Sequence, residues 1–392
     1  MRSVTLRAEA HRRPLAGHPW VYSNEIVIDQ AAKAIEPGSL VRLLQADGRP
    51  LALALFNPRT LIAARLLTRD LDAAIDRAFF AERLARALRL RERLYGEPFY
   101  RLIHAEADGL PGTVVDRFGD LLVVQVNSAG MELLWPEFQA ALEQVLAPDA
   151  ILLRADSPAR GLEGLPSYVR WAKGERTAPI ELRENGLRFL ADPAAGQKTG
   201  WFYDQRDNRA AVAKLAAGAS VLDLYCYAGG FALAAAAAGA REVEAIDRSE
   251  SALALAEKAA ALNGLAQRCR FRRAEAFEEL ERLGGKSARF GLVVADPPAF
   301  VKSKKDLKQG AKGYRKLARL SAAVTAPEGF LFVASCSHNM PAEEFAHQVA
   351  RGLRDAGREG RILRAAGAAA DHPQHPWLPE SAYLKSLLLQ LD

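Results

Sequence analysis

The chain has 392 residues, of which 49% are hydrophobic, so it is too long for one ordinary domain and apolar enough for two or three cores. Its longest apolar run, 231–240, is mostly alanine and too short to cross a bilayer, and no apolar segment follows the arginine-rich start to make a secretory signal. Three cysteines exclude a disulfide framework and fit no zinc spacing, so we expect a cytoplasmic protein without membrane or metal.

The net charge of +6 is concentrated in two regions. Residues 1–100 hold 16 Lys/Arg against 11 Asp/Glu, and a second cluster is opposed only by Asp306. The cluster consists of Lys302, Lys304, Lys305, Lys308, Lys312, Arg315 and Lys316. Such regions are typical of proteins with a polyanionic partner, although solvated helix faces give the same pattern.

The first two segments of the chain differ in their hydrophobic period. Residues 1–70 predict a small β-rich domain, with apolar runs at 41–44 and 51–56 around the hairpin signal Ala46-Asp47-Gly48. Residues 71–175 predict a compact α+β domain. Its expected elements are a helix at 72–95, strands at 112–117 and 121–126, a helix at 132–146, a strand at 151–154 and a Pro- and Gly-rich linker at 157–173.

Residues 176–392 predict an α/β domain. A hairpin signal, Glu184-Asn185-Gly186, comes first, and strands then alternate with alanine- and leucine-rich helices. That alternation is typical of an open, parallel, doubly wound sheet. We predict its strands at 221–224, 242–246, 270–272, 290–295 and 330–334.

The turn after the first of these strands predicts a cofactor site, because ligands bind beyond the carboxyl ends of such strands. Gly229 and Gly230 let the backbone approach a ligand, and Asp247 can accept hydrogen bonds from ribose hydroxyls. The loop lacks the G-x-G-x-x-G of pyrophosphate sites, and Asp223 would attract the amino group and sulfonium of S-adenosylmethionine (SAM). The pattern therefore favours SAM over NAD, and an ordinary strand–turn–helix of another α/β enzyme is the alternative.

The full set of predicted cofactor residues extends over four strand ends. Glu275 can accept from the adenine amino group, or can simply complement a helix dipole. The set is Asp223, Tyr225, Tyr227, Ala228, Gly229, Gly230, Asp247, Arg248, Glu275 and Asp296.

The fourth and fifth strands end in residues that predict the chemistry. Two prolines in the motif 296–300, Asp-Pro-Pro-Ala-Phe, fix an extended turn that can hold Asp296 against a planar base, or serve only as a turn. Cys336 ends the next strand between two serines. A thiolate that adds to carbon 6 of cytosine activates carbon 5 for methylation. We therefore predict Cys336 and Asp296 as catalytic, whereas Cys226 and Cys269 are expected to be core residues.

These motifs resemble the RlmI-type class I SAM-dependent methyltransferases, the large-subunit ribosomal RNA cytosine-carbon-5 enzymes. The resemblance covers essentially the whole chain. Its motifs are Gly17-His18-Pro19-Trp20-Val21, 197–206, 223–231, 296–300, Ser335-Cys336-Ser337 and 379–385. It implies a PUA-like RNA-binding domain at 1–70, a central α+β domain at 71–175 and a Rossmann-like methyltransferase domain at 176–392.

The resemblance also implies roles for residues and partners. SAM would be bound by Asp223, Asp247 and the Gly229–Gly230 turn, Cys336 would be the nucleophile, and 23S ribosomal RNA would be the partner, with a homodimer as one candidate assembly. Candidate substrate-binding residues are Lys198, Thr199, Phe202, Asp204, Gln205, Arg206, Pro297, Pro298, Phe300, Lys302, Lys304 and Lys305. The stretch 198–206 could equally be a structural lead-in to a helix.

Two positions depart from related patterns. Glu275 stands where the family predicts aspartate, which weakens its adenine role. Pro298 stands where another class of RNA cytosine methyltransferases has a second cysteine, so one cysteine would have to serve alone.

Three alternatives remain open from the sequence. The 296–300 motif also resembles that of enzymes that methylate base nitrogens, which need no thiolate. A non-catalytic RNA-binding assembly factor fits the basic first quarter, but it would not need the Asp223, Asp247, Asp296 and Cys336 constellation. A small-molecule methyltransferase would need neither basic region.

Overall fold

The structure, a computed structural model, describes residues 1–392, which form two compact units. Unit 1 comprises Met1–Ala178, Pro193–Trp201 and Ala370–Ser381, and unit 2 comprises Pro179–Asp192, Phe202–Ala369 and Ala382–Asp392. Two segments of the predicted third domain, 193–201 and 370–381, therefore belong to unit 1. None of the helices combines the length and apolar content that crossing a membrane requires.

Unit 1 is built from ten strands and six helices. The strands are β1 Arg2–Thr5, β2 Trp20–Tyr22, β3 Ser39–Leu44, β4 Pro50–Phe56, β5 Ile62–Thr68, β6 Phe99–His104, β7 Thr113–Phe118, β8 Leu121–Val126, β9 Ala150–Ala155 and β10 Tyr168–Lys173. The helices are α1 Arg12–Ala16, α2 Gln30–Lys33, α3 Arg77–Leu94, α4 Ala129–Leu133, α5 Trp135–Leu146 and α6 Ala159–Leu162.

The strands of unit 1 form two five-stranded sheets, ordered β1-β3-β4-β5-β2 and β10-β9-β8-β7-β6. The predicted boundary at residue 70 falls between them. In the first sheet β3 and β4 pair antiparallel as the expected hairpin. Their residues Val41, Leu43 and Phe56 belong to the hydrophobic core. In the second, α5 joins the parallel neighbours β8 and β9, and its Phe138 packs with Phe80 of α3.

The predicted linker at 157–173 is wrong, because most of it is structured. β10 pairs antiparallel with β9, and the Tyr168 hydroxyl donates to Glu132 at 2.7 Å. The buried guanidinium of Arg160 also binds Glu132, at 2.9 Å. The proline and glycine residues around these short elements are typical of loops, so the sequence did not predict them. The helix expected at 132–146 is two helices, because α4 ends at Leu133 and a new helix, α5, begins at Trp135 with Pro136 in its first turn.

A buried charged cluster ties the late segment 370–381 into unit 1. The Arg91 guanidinium binds both carboxylate oxygens of Asp108, at 2.7 and 2.8 Å, and donates to the Asp371 carbonyl at 2.9 Å. The Asp371 carboxylate accepts from the Arg101 backbone N–H at 2.9 Å and contacts the His372 ring at 2.8 Å. A buried arginine requires such partners, so unit 1 depends on residues almost 300 positions apart along the chain.

Unit 2 is built from nine strands and six helices. The strands are β11 Ile180–Glu184, β12 Leu187–Ala191, β13 Ser220–Leu224, β14 Glu242–Asp247, β15 Cys269–Arg273, β16 Phe290–Ala295, β17 Thr325–Ser335, β18 Gly360–Ala366 and β19 Lys385–Leu391. The helices are α7 Arg206–Ala213, α8 Gly230–Ala237, α9 Glu250–Leu262, α10 Ala276–Gly285, α11 Leu307–Val324 and α12 Ala342–Asp355.

The main sheet of unit 2 has seven strands in the order β15-β14-β13-β16-β17-β19-β18. The five predicted strands are present and parallel, and β11 and β12 form the predicted hairpin. The expectation of a wholly parallel sheet is wrong, because β19 lies antiparallel between β17 and β18. Since β13, β14, β16 and β17 are parallel, the residues that follow them lie at one edge of the sheet.

Candidate active site

The turn after β13 is held in a backbone conformation that non-glycine residues rarely adopt. Tyr225, Tyr227 and Gly229 have φ values of 62°, 49° and 82°. A Cβ on Gly229 would lie 3.0 Å from the Cβ of Ala256, so only glycine fits there. Asp247 stabilises the turn, because its Oδ2 accepts from the Tyr227 N–H at 2.9 Å. Strain of this kind concentrates at ligand sites.

Asp223, at the end of β13, carries an unpaired buried oxygen. Its Oδ2 accepts from the Ala232 N–H at 2.9 Å, whereas its Oδ1 has no hydrogen-bond partner. Burial raises the pKa of this carboxyl well above its ordinary value, and the carboxylates of Asp296 and Asp247 add to that effect. A buried acid of this kind gains most from a cationic hydrogen-bond donor. The amino group of SAM is such a donor, so the site fits this cofactor.

The two carboxylate oxygens of Asp247 accept hydrogen bonds from two different backbone N–H groups. While Oδ2 binds Tyr227, Oδ1 accepts from the Ser249 N–H at 2.9 Å. Each carboxylate oxygen has a second lone pair, so the side chain retains acceptor capacity for ribose hydroxyls. Asp247 thus fixes the turn and still has acceptor capacity for a ligand.

Arg248 and Glu275 lie at the surface. Their side chains form an ion pair at 3.4 Å and are 66% and 49% exposed, respectively. Glu275 also occupies the N-cap position of α10, without a capping hydrogen bond from its side chain. This placement agrees with the alternative in which Glu275 complements a helix dipole.

The Asp296 carboxylate is oriented by a chain of amides. Gln205 Nε2 donates to Asp296 Oδ2 at 2.9 Å, and Asn208 Nδ2 donates to Gln205 Oε1 at 2.7 Å. Gln205 and Asn208 are buried, whereas Asp296 is partly exposed. Gln205, predicted to contact substrate, therefore holds the predicted catalytic acid.

Cys336 lies beside the loop that carries Asp296. Its partly exposed thiol is 3.9 Å from the carbonyl oxygen of Pro297. Pro297 is buried and Pro298 is exposed. The other two cysteines are buried, and burial raises the pKa of the Cys269 thiol to about 11. Only Cys336 therefore combines exposure with a place at the sheet edge.

A buried hydroxyl network explains the two serines around Cys336. The Tyr314 hydroxyl lies 2.8 Å from both the Ser335 and the Ser337 hydroxyls. Ser337 Oγ also accepts from the Val301 N–H at 3.1 Å, so the network joins the end of β17 to the loop after β16. Phe300, predicted to bind substrate, packs on the Tyr314 ring at 4.7 Å.

Replacing Tyr314 with Phe should destabilise this corner. The change leaves the buried Ser335 and Ser337 hydroxyls short of a partner, which costs about 1–3 kcal/mol of unfolding free energy. Urea denaturation of Tyr314→Phe and wild type measures the difference. An unchanged midpoint and slope would show that the network contributes nothing to stability.

The side chains of segment 202–206 contact other residues of unit 2 around the site. Phe202 packs edge-on against Tyr227 at 5.3 Å. The buried Asp204 carboxylate accepts from the Tyr383 hydroxyl, and the Tyr383 ring stacks on His338 at 5.2 Å. Arg206 lies 3.6 Å from the buried Glu184. The ring of His338, two residues after Cys336, is thereby held in place.

Sequence reasoning missed two charged residues of unit 2. Arg209 forms a buried ion pair with Glu184, at 2.6 and 3.1 Å, and its side chain fills the space where a Cβ on Gly230 would lie, at 3.0 Å. Lys385 donates to the carbonyls of Ser337 and Tyr383. Arg209 lies outside the motifs, and Lys385 ends the 379–385 motif without an assigned role. Arg209 acts through Glu184, 25 residues away, and Lys385 through Ser337, 48 residues away.

The remaining predicted substrate residues fall in two places. Lys302, Lys304 and Lys305 are exposed on the loop after the 296–300 motif. Lys198 and Thr199 belong to unit 1, where the buried Thr199 hydroxyl donates to Asp116. The structure therefore accounts for Thr199 by a contact within its own unit.

Comparisons with known proteins add to this geometry. A family profile described as S-adenosylmethionine-dependent methyltransferase matches residues 164–390, and one described as a PUA-like domain matches residues 4–69. The ribosomal RNA large subunit methyltransferase I of Shewanella amazonensis is 38% identical over 379 residues, which is 95% of each chain. Its namesake from Tolumonas auensis is 37% identical over 99% of each chain.

A solved structure gives the same fold. It is a candidate SAM-dependent methyltransferase from Streptococcus mutans, which matches with a TM-score of 0.84 and 20% identity over 100% of both chains. The PUA-like domain and the Rossmann-like methyltransferase domain expected from the sequence are thereby confirmed.

Proposed function

Because the chain belongs to the ribosomal RNA large subunit methyltransferase I family, whose members use SAM, we propose that it methylates carbon 5 of a cytosine in 23S ribosomal RNA. At the coarser level it is a SAM-dependent methyltransferase of large-subunit ribosomal RNA. The single observation that supports the choice of carbon 5 is the partly exposed thiol of Cys336, 3.9 Å from the Pro297 carbonyl at the same sheet edge as Asp223.

The residues of the chain divide the work. Asp223 would hold the amino group of SAM and Asp247 its ribose, on the Gly229 turn. When bound there, SAM supplies an electrophilic methyl group. The Cys336 thiolate would add to carbon 6 of the cytosine, which makes carbon 5 nucleophilic, while Asp296 binds the base edge. After carbon 5 is methylated, a base removes its proton and the thiolate leaves, which restores the aromatic ring.

The exposed lysines after Phe300 support an RNA substrate. Lys302, Lys304, Lys305, Lys308 and Lys312 are all exposed, and none forms an ion pair. Asn339, three residues after Cys336, donates to the Lys302 carbonyl at 3.2 Å, so this loop is joined to the Cys336 segment. We propose that the lysines bind RNA phosphates next to the target base, in addition to the PUA-like domain.

Neutralising part of this loop should weaken RNA binding in a salt-dependent way. We expect the variant Lys304→Ala/Lys305→Ala to lower affinity and to flatten the plot of log affinity against log salt by about 0.7–0.9 for each phosphate that is no longer neutralised. Fluorescence anisotropy with an rRNA fragment at several salt concentrations measures both. Lys258→Ala, which removes an exposed lysine of α9, is the matched control. An unchanged slope in the double variant would exclude these lysines from the RNA interface.

Mapping of methylated nucleotides tests the proposed function as a whole. In cells from which the gene has been deleted, mass spectrometry of 23S rRNA should find one 5-methylcytosine missing, and the wild-type gene should restore it. Purified protein with SAM should methylate the same position in rRNA from the deleted strain. If no methyl group disappears, the rRNA assignment is wrong. Loss of a nitrogen-linked methyl group would favour the alternative chemistry.

A further inference from the structure

Lys385 reaches over the end of the strand that carries Cys336. β19 runs antiparallel to β17, and Lys385 pairs with Ser335, the residue before Cys336. Its half-buried ammonium donates to the Ser337 carbonyl at 2.7 Å and to the Tyr383 carbonyl at 2.8 Å. Lys385 is therefore joined to both residues that flank Cys336, to Ser335 by strand pairing and to Ser337 by its side chain.

The charge of Lys385 is not neutralised by any carboxylate. Two of its three N–H donors bind neutral carbonyl oxygens, and no acidic side chain lies within ion-pair distance. Burial lowers the pKa of Lys385, and the charge of Cys336 is the one side-chain interaction that raises it. A partly buried ammonium without an anionic partner is costly, so a thiolate beside it would be favoured.

Three further polar groups described above lie near the end of β17, namely Tyr314, Asp296 and His338. Burial raises the pKa of Tyr314, so its hydroxyl is neutral near pH 7. The Asp296 carboxylate, on the loop whose Pro297 carbonyl faces the thiol, would oppose a second negative charge. His338 is exposed and stacks on Tyr383, whose hydroxyl is bound to Asp204. The Lys385 ammonium, bound to the Ser337 carbonyl next to Cys336, can offset the repulsion between Asp296 and a thiolate.

We infer that Lys385 is a positioning residue that holds Cys336 as a thiolate and fixes the end of β17 on which it stands. The thiol proton passes to solvent, and the ammonium remains protonated. The inference rests on the proposed function for its catalytic meaning, but the coupling between the lysine and the thiol can be measured without methylation.

The test is the alkylation rate of Cys336 in the full-length protein. Iodoacetamide is reacted over a series of pH values, and mass spectrometry quantifies the modified peptide. We expect Lys385→Met to react about tenfold more slowly near neutral pH and its profile to shift to higher pH, whereas Lys385→Arg, which keeps the charge, stays close to wild type. Lys258→Met is the control for loss of an exposed lysine. Thermal melting establishes that each variant is folded.

An unchanged profile in folded Lys385→Met would overturn the inference. If that variant does not fold, the alkylation rate of the wild-type protein is compared with that of an unfolded peptide that has the same residues around Cys336. We expect the pH profile of the protein to lie at lower pH than that of the peptide. Coincidence of the two profiles would refute the role of Lys385. Retained methylation in a variant without Cys336 would instead refute the proposed chemistry. The two failures are therefore distinguishable.

Discussion

Replacing Cys336 with Ala should reduce methylation by on the order of a thousandfold or more, because removal of a covalent nucleophile eliminates the route through the carbon 6 adduct. The thiol is partly exposed and its contact with the Pro297 carbonyl, at 3.9 Å, is weak, so we expect the variant to fold and to keep its affinity for SAM. Single-turnover transfer of labelled methyl groups to rRNA measures the rate, and calorimetry measures SAM binding.

Cys269→Ala is the matched control for the cysteine experiment. Cys269 is buried at the start of β15, outside the site, so its replacement should cost some stability but leave the methylation rate near that of wild type. If Cys336→Ala retained most of its activity, the thiolate route would be refuted and methylation of a nitrogen, which needs no nucleophile, would be preferred.

The second large effect is expected at Asp223. Asp223→Asn keeps an oxygen that can accept from the Ala232 N–H but removes the negative charge that would face the amino group of SAM. Loss of a buried charge-assisted hydrogen bond costs about 1.5–3 kcal/mol, so we expect SAM to bind roughly 10- to 150-fold more weakly. Isothermal titration calorimetry measures the change, with Glu242→Gln, an exposed acid at the start of β14, as control.

The same substitution should affect the stability of the ligand-free protein in the opposite direction. Because the pKa of Asp223 is raised in the folded state, its stabilising contribution is fully present below the unfolded-state pKa and is lost as pH rises through the folded-state pKa. Asp223→Asn should therefore gain stability relative to wild type as pH increases. Urea unfolding over a pH series without SAM tests this, and a constant difference across the series would contradict the assigned burial.

The periodicity of the sequence was sufficient for most of the fold. Strands such as β8 and β16 are continuous apolar runs bounded by turns. They are easy to predict because a strand that is buried on both faces is apolar at nearly every position. β18 and β19 were not predicted. The residues of β18 are mostly exposed, so they show little apolar pattern, and the position of β19 between β17 and β18 depends on long-range pairing.

The site residues at strand ends could be predicted from the sequence, whereas the residues that contact and support them, which are distant along the chain, could not. Asp223, Asp247, Asp296 and Cys336 each end or follow a predicted strand, so their common edge follows from a parallel sheet. The supports of these residues do not follow from local sequence. Tyr314 lies in the middle of α11, Gln205 precedes α7, and Lys385 reaches Ser337 from the last strand.

The buried ion cluster of unit 1 has a consequence for biosynthesis. Arg91 and Arg101 need Asp371, yet the segment 370–381 is translated about 190 residues after residue 178. At typical elongation rates that is a delay of roughly 10 to 40 s. During this time Arg91 has Asp108 as a partner, but its hydrogen bond to Asp371 cannot form. Nascent chains released before residue 371 should therefore expose a less stable unit 1 to proteases and chaperones, even though the whole PUA-like segment has already been made.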